Sequence, residues 1–204
     1  MHNLTRQGFP IILSAPSGAG KTSLCRKVVE RYPEIVYSIS VTSRPPRPNE
    51  KDGQDYHFVS AADFEKMLES DALVEWAMVH DNYYGTPRKD ISGQLVQGRD
   101  VIMDIDTVGA RSVKKIYPQA VSIFVIPPSI EALKQRLMSR ATDSDEVISK
   151  RLNKARLEME QIGDFDYWLV NDDLNQAIDT VAAIIQAERR RLSRYNKDEI
   201  IKII

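Results

Sequence analysis

The sequence predicts an α/β protein built on a mainly parallel sheet. Short, nearly continuous apolar runs alternate with amphipathic stretches along most of its 204 residues, a pattern typical of parallel strands joined by helices. Hydrophobic residues make up 42% and charged residues 28% of the chain, which excludes intrinsic disorder and a fibrous protein. At roughly 100–200 residues per domain, this length predicts a single domain, residues 1–204.

Five apolar runs are the candidate strands, because strands buried on both faces lack polar alternation. These runs are residues 9–14, 35–40, 101–105, 121–126 and 168–170. Between and after them, apolar residues recur at helical spacing. The candidate helices are residues 22–31, 88–97, 130–139, 146–161 and 174–195.

Residues 41–84 interrupt this alternation. The stretch is rich in proline, arginine and aromatic residues, with one helix-like segment at 61–70. Ser60 is the expected N-cap of that helix, because Asp63 follows three residues later. We therefore predict an inserted lobe at 41–84, with the core formed by 1–40, 85–130 and 152–204.

Charge and cysteine content restrict the partners and the compartment. Lys and Arg number 28 against 29 Asp and Glu, a formal net charge of -1, so no global field attracts nucleic acid or an anionic membrane. The one cysteine, Cys25, excludes an intrachain disulfide and a multi-cysteine zinc site. No signal peptide or membrane-length apolar run is found. We expect a cytoplasmic protein without nucleic-acid or membrane partners.

A phosphate-binding loop is predicted at residues 14–22, SAPSGAGKT, between a strand and a helix. Its glycines allow backbone N–H groups to turn toward a polyphosphate, and the helix N-terminus adds positive partial charge. Lys21 is expected to bridge the β- and γ-phosphates of ATP, and the Thr22 hydroxyl to bind Mg²⁺. Ala15 stands where the usual pattern has its first glycine. The candidate ATP-binding residues here are Ala15, Pro16, Ser17, Gly18, Ala19, Gly20, Lys21, Thr22 and Ser23.

Further motifs follow in order in and beyond the lobe. They are SVTSRPPRPNE at 40–50, GQDYHF at 53–58, VEWA at 74–77, NYYGT at 82–86 and DID at 104–106. Together with the phosphate loop, this ordered set resembles the guanylate kinases over about 11–173. The resemblance implies a P-loop nucleoside-monophosphate kinase fold: a parallel core sheet flanked by helices, a GMP-binding lobe and a lid at about 131–151.

The resemblance also implies the residues that bind GMP. Its phosphate is assigned to Arg44, Arg47, Tyr56 and Tyr84, and its guanine to Ser40, Glu75 and Thr86. Chemistry supports Glu75, because a carboxylate can accept from both N1–H and the 2-amino group of guanine, whereas adenine presents neither in that arrangement. In isolation, each of these residues also fits a plain packing or surface role, and Trp76 is expected to be a packing residue. Asn49, which replaces a glycine of the family pattern, tolerates left-handed φ.

Acidic and basic residues complete the expected site. Asp104, at the carboxyl end of a strand, is the candidate for a GMP contact or a water-mediated Mg²⁺ contact, while Asp106 follows at the alternate strand position. In the lid, Arg140 and Arg151 are expected to stabilise the charge of the moving phosphoryl group. Arg136 shares that expectation but also fits a helix surface. Asn171 resembles the residue that flanks the adenine of ATP, although a strand-end turn explains it nearly as well.

These features predict an ATP:GMP phosphotransferase that forms ADP and GDP in purine nucleotide metabolism. Its catalytic residues are expected to be Lys21, Arg44, Arg140 and Arg151, with Mg²⁺ as cofactor and ATP and GMP as substrates. Two alternatives stay open: a catalytically inactive guanylate-kinase-like interaction module, and a kinase for a different monophosphate. The apolar C-terminal segment 198–204 leaves self-association into a homo-oligomer open as well.

Overall fold

A computed structural model describes residues 6–79, 81–138 and 145–201 of the chain. The strands are β1 Pro10–Ser14, β2 Ile35–Tyr37, β3 Val41–Thr42, β4 His57–Phe58, β5 Leu73–Val79, β6 Asn82–Pro87, β7 Asp100–Asp104, β8 Val121–Ile126 and β9 Tyr167–Val170. The α-helices are α1 Lys21–Arg31, α2 Ala61–Glu69, α3 Arg88–Val96, α4 Thr107–Ile116, α5 Ile130–Met138, α6 Asp145–Met159, α7 Leu174–Arg189 and α8 Lys197–Ile201.

The larger sheet is parallel throughout, in the order β2-β7-β1-β8-β9. Every residue of β1 is buried, as expected for a strand covered by helices on both faces. One face packs against a cluster that includes Leu24 of α1 and Val181 of α7. The other face packs against Ile91 of α3 and Val113 of α4. This layering confirms the predicted α/β class and brings the carboxyl ends of β1 and β7 to the same edge of the sheet.

The smaller sheet lies within the inserted region, in the order β4-β3-β6-β5. It runs from Val41 to Pro87 and pairs β6 antiparallel to both β3 and β5. The predicted lobe contained only its helix, α2, which begins after Ser60 as expected: the Ser60 Oγ accepts a hydrogen bond from Asp63 N at 3.1 Å. β3 and β4 escaped detection because they have only two residues each, and the longer β5 and β6 because neither is a continuous buried apolar run.

Three local expectations need correction. Asp106 is not on a strand with Asp104, because β7 ends at Asp104 and Asp106 instead caps α4, its carboxylate accepting from Gly109 N. The predicted final helix ends at Arg189 and is followed by a separate 3₁₀ turn. Trp76 is not a packing residue: it is 50% exposed on the edge strand β5, and its ring meets that of Tyr83 edge-on.

In the part of the chain that the structure describes, no helix combines the length and the apolarity needed to cross a membrane.

Candidate functional site

The phosphate loop joins β1 to α1 at residues 15–20. Gly18 and Gly20 have φ of 93° and 89°, a left-handed conformation that residues with a Cβ rarely adopt. A Cβ on Gly20 would also lie 2.6 Å from the Asn171 amide nitrogen. The loop therefore requires both glycines, whereas the absent first glycine is tolerated because Ala15 is buried without such a backbone conformation.

Lys21 begins α1, so its side chain emerges where the N–H groups of the first helical turn point outward. The Lys21 ammonium donates to the carbonyl of Ile105 at 2.9 Å. Ile105 directly follows β7, and β7 pairs with β1. The lysine is thus held between the phosphate loop and the end of the neighbouring strand, facing the cleft between the two sheets.

Asp104 ends β7 beside the loop, and two hydroxyl groups hold its carboxylate. Thr22 Oγ1 donates to one oxygen, and the Tyr37 hydroxyl donates to the other at 2.5 Å. Burial, the largest cause, and the nearby charge of Asp104, the second, raise the pKa of Tyr37 well above its ordinary value. The result is a cluster of oxygen atoms next to the loop, the donor type that Mg²⁺ prefers.

The residues expected to bind guanine lie on β5 and β6, beside the first turn of α4. Glu75 on β5 faces Thr86 on β6 in register, and the Thr86 hydroxyl donates to the Glu75 carboxylate. The pKa of Glu75 is raised to about 7, mainly by burial; the Thr86 hydrogen bond opposes this rise and the charge of Asp106 adds to it. A partner that donates hydrogen bonds to this buried carboxylate would favour its ionised form.

Gly109 makes room for that carboxylate. A Cβ built on Gly109 would lie 2.8 Å from the second Glu75 oxygen, which is closer than real Cβ contacts. The helix turn therefore packs directly against Glu75 only because residue 109 has no side chain. Gly109 was not among the predicted site residues, because no helix was predicted at 107–116 and its close contact is with Glu75, which is distant in sequence.

The expected acceptor-phosphate residues form one connected group around Arg44. Its guanidinium donates to both oxygens of Glu50 at 2.9 Å and to the Tyr84 hydroxyl at 3.1 Å. Tyr56 packs edge-on against Tyr84, and the Arg44 guanidinium lies over the ring of Tyr56. Arg47 is much more exposed, with 74% of its side chain accessible, and lies 3.9 Å from Glu50. The two arginines therefore share one acidic partner, with Arg44 fixed in place and Arg47 facing solvent.

A cleft of about 200 Å³ joins the two ends. Lys21, Ser40 and Asp104 line it from the core, while Tyr56, Glu75 and Tyr84 line it from the lobe. Larger depressions exist at the opposite end of the core sheet, but they contain none of these groups. Lys21, Glu75 and Asp104 thus line one cleft although they lie far apart in sequence. Arg44, Arg47 and Thr86 are not among the residues that line it.

An ion pair connects the lobe to the phosphate-loop helix outside the cleft. Arg26 on α1 donates to Asp55 of the lobe at 2.5 Å, and the other Asp55 oxygen accepts from Lys51 N at 2.9 Å. Asp55 directly precedes Tyr56 in the chain. This contact therefore ties the aromatic part of the acceptor group to the helix that carries Lys21.

The adenine and lid end gives a mixed result. The Asn171 amide donates to Ala19 O of the phosphate loop at 2.8 Å, and Arg136 on α5 donates to Asn171 O at 3.0 Å and to Ala19 O at 3.4 Å. These contacts brace the back of the loop. Arg151 is half-buried on α6, and Arg140 lies outside the described residues.

One carboxylate near the loop was not expected. Glu158 on α6 accepts from the backbone N–H of Ser17, and burial raises its pKa. Its Oε2 is buried without a hydrogen-bond partner among the described residues. Glu158 lies seven positions after Arg151, two helical turns along the same face, and this spacing was the signal that could have revealed it.

A parallel sheet with a phosphate loop after its first strand, faced across a cleft by a small lobe, defines a P-loop nucleoside-monophosphate kinase. Comparisons with known proteins then specify the family. The guanylate kinase family model matches residues 7–188, and the chain belongs to the guanylate kinase family.

Individual relatives agree with this assignment. The guanylate kinase of Aromatoleum aromaticum is 46% identical over 190 residues, which cover 93% of each chain. That of Caldanaerobacter subterraneus subsp. tengcongensis is 43% identical over 201 residues, 98% of this chain and 97% of the relative. The crystal structure of guanylate kinase from Anaplasma phagocytophilum superposes with a TM-score of 0.78 at 32% identity, covering 95% of this chain and 93% of that one.

The family assignment confirms the predicted fold and the predicted activity, ATP-dependent phosphorylation of GMP to GDP. These relatives are named as the kinase itself, so the comparisons give no support to the inactive interaction module.

Proposed function

We propose that the residues around the cleft divide the reaction between a donor half and an acceptor half. Lys21 and the amides of loop 15–20 hold the phosphates of ATP, and Arg44 with Tyr84 holds the phosphate of GMP. Glu75, with Ser40 and Thr86, binds the guanine. The observation that carries this proposal is the single cleft lined by both Lys21 and Glu75.

Transfer requires no covalent enzyme intermediate. The acceptor phosphate oxygen attacks the γ-phosphorus of ATP, the bond to the β–γ bridging oxygen breaks, and ADP leaves with that electron pair. The catalytic contribution is alignment of donor and acceptor together with stabilisation of the charge on the transferring group. Lys21 and the loop amides supply part of that stabilisation, and the lid residues Arg140 and Arg151 are proposed to supply the rest.

Mg²⁺ is the proposed cofactor, held by Thr22 and, directly or through water, by Asp104. The proposal is supported by the donor chemistry, because the two side-chain oxygens are in contact. Among residues 6–79, 81–138 and 145–201, no cluster of three or more His, Cys, Asp or Glu could bind a metal unaided. This fits a cation that takes its remaining ligands from nucleotide phosphates and water. When bound, Mg²⁺ neutralises charge on the β- and γ-phosphates.

Guanine selectivity is proposed to depend on the ionised form of Glu75. Two carboxylate oxygens accept from N1–H and the 2-amino group together, whereas a protonated carboxyl would direct its own O–H at one of these donors. With AMP, the same carboxylate would be left desolvated and without donors, which is costly. Glu75 is buried and its pKa is raised to about 7, so the two hydrogen bonds that guanine donates would be needed to favour its ionised form at neutral pH.

The remaining assignments are proposals of the same kind. Tyr56 and Arg47 complete the phosphate-binding group. Asn171 supports ATP binding by bracing the phosphate loop through its hydrogen bond to Ala19 O. The division into a core, a GMP-binding lobe at 41–84 and a lid near 131–151 follows these roles. A cytoplasmic location, the lack of a nucleic-acid partner and self-association stay predictions.

The test is an assay of ADP release with Mg²⁺-ATP and each of GMP, AMP, CMP and UMP in turn. Turnover with GMP far above that with the other three supports the assignment. Equal turnover with two or more acceptors would overturn the proposed role of Glu75. No turnover with any of them, despite nucleotide binding, would favour the interaction module.

A further inference from the structure

Tyr37 occupies a position from which it can control the carboxylate of Asp104. It ends β2, the edge strand beside β7, and its register partner is Ile102. Side chains two residues apart on a strand share a face, so Asp104 projects on the same face as Ile102 and Tyr37. The Tyr37 hydroxyl reaches one Asp104 oxygen at 2.5 Å.

The other Asp104 oxygen is bound by the Thr22 hydroxyl. The carboxylate is thus held by two donors that come from different elements, β2 and α1. A carboxylate held at only one oxygen can rotate about its terminal bond, whose torsional preference is broad. A second donor on the opposite oxygen removes that freedom.

Packing accounts for the tyrosine ring but not for its hydroxyl. The ring packs against the core cluster that contains Ile102 and Cys25, a task that phenylalanine would perform equally well. The hydroxyl adds one polar contact, and that contact is to the acidic residue at the loop.

We propose that Tyr37 is a positioning residue for the cation-binding group of this kinase: its hydroxyl holds Asp104 so that the opposite carboxylate oxygen faces Thr22 and a nucleotide-bound Mg²⁺. The inference rests on the proposed Mg²⁺ site. Outer partners of metal-binding carboxylates commonly change metal affinity by about 10–100-fold when removed, so a hydroxyl deletion here has a measurable consequence.

The experiment measures how much Mg²⁺ strengthens nucleotide binding. Calorimetry gives the Kd of a non-hydrolysable ATP analogue with saturating Mg²⁺ and with EDTA, and the ratio of the two values is compared between proteins. For Tyr37→Phe we expect the ratio to fall by about tenfold, with the Kd in EDTA unchanged. A role in packing alone would raise both Kd values together and leave the ratio as in the unmodified protein.

Tyr167→Phe is the matched control. The Tyr167 hydroxyl also donates to a carboxylate, that of Glu188 at 2.7 Å, on the far edge of the same sheet. The ratio for Tyr167→Phe should equal that of the unmodified protein. A double variant adds a second criterion: in an Asp104→Asn background, Tyr37→Phe should cause no further change, because the group that it positions has lost its charge.

The outcomes separate the inference from the proposed function. If Mg²⁺ fails to strengthen binding even in the unmodified protein, the Mg²⁺ site is wrong, and the inference fails with it. If Mg²⁺ strengthens binding and Tyr37→Phe keeps the full ratio, the site stands and Tyr37 is only a packing residue. An equal loss in Tyr37→Phe with and without Asp104 would also overturn the positioning role.

Discussion

The two ends of the cleft are built in different ways. At the donor end, backbone amides and two left-handed glycines form the phosphate loop within nine consecutive residues, 14–22. At the proposed guanine end, the pocket consists of the Glu75 and Thr86 side chains on β5 and β6, beside Asp106 and the closely packed Gly109 at the start of α4. A site made of backbone leaves a local sequence motif, whereas a site made of side chains depends on tertiary contacts. The predictions below test each end in turn.

The largest effect is expected at the donor end. Lys21→Ala should lower kcat by at least about 10²-fold, because it removes a preorganised positive charge from the transferring phosphates. Thermal unfolding should change little, since the side chain faces the cleft and the hydrogen bond that is lost is the one to Ile105 O. Lys27→Ala is the control: it removes an exposed lysine of the same helix that pairs with Glu30. Unmodified turnover in Lys21→Ala would contradict the phosphate-loop assignment.

At the guanine end, Glu75→Gln should reduce the ratio of kcat/KM for GMP to that for AMP by about 10²-fold. The amide retains one acceptor but loses the second and the charge, so the guanine-specific contact weakens. Glu69→Gln, on the exposed side of α2 in the same lobe, should leave the ratio unchanged. An unaltered ratio in Glu75→Gln removes this residue from the base site.

Gly109→Ala separates site geometry from stability. The added methyl group would meet the Glu75 carboxylate at 2.8 Å, so we expect the KM for GMP to rise by about tenfold, an effect of about 1.4 kcal/mol. Alanine favours helix over glycine, but the same close contact opposes that gain, so we expect the melting temperature to rise less than in Gly93→Ala or to fall.

Gly93→Ala is the control for that variant. It lies in α3, where an added Cβ would meet nothing within 4 Å. The full gain in helix propensity is expected there, a rise in melting temperature of about 1–3 °C, with unchanged kinetics. If Gly109→Ala binds GMP as well as the unmodified protein does, the close packing of α4 on Glu75 has no functional role.

The smallest effect concerns the contact between the two halves. Arg26→Ala breaks the pair with Asp55 of the lobe and should raise the KM for GMP by about twofold to fivefold, the range for an exposed ion pair. The KM for ATP should stay constant. Arg31→Ala breaks an exposed pair with Asp179, which joins α1 to α7 and does not involve the lobe. This variant should change neither constant. A matching rise in both KM values for Arg26→Ala would mean that the pair supports the helix rather than the lobe.

The contrast between the ends also explains what the sequence could predict. The core strands were predictable because β1 and β8 are nearly continuous apolar runs. The phosphate loop was predictable because its conformation requires glycines at fixed spacing. The lobe strands β3 and β4 could not be predicted, because two residues are too few to show a periodic pattern. Asp106 was read as a strand residue because a capping aspartate directly after a strand looks like one more alternating position. Gly109 and Tyr37 were missed because their roles depend on neighbours distant in sequence.

The most direct test of the guanine end is the pH dependence of the KM for GMP in the unmodified protein and in Glu75→Gln. The raised pKa of about 7 for Glu75 means that the accepting, ionised form is lost as pH falls through 7. The phosphate of GMP also titrates, near about 6, but equally for both proteins. We predict that KM in the unmodified protein rises below pH 7 more steeply than in Glu75→Gln, by up to about tenfold per pH unit. Parallel profiles for the two proteins would contradict recognition of guanine by an ionised Glu75.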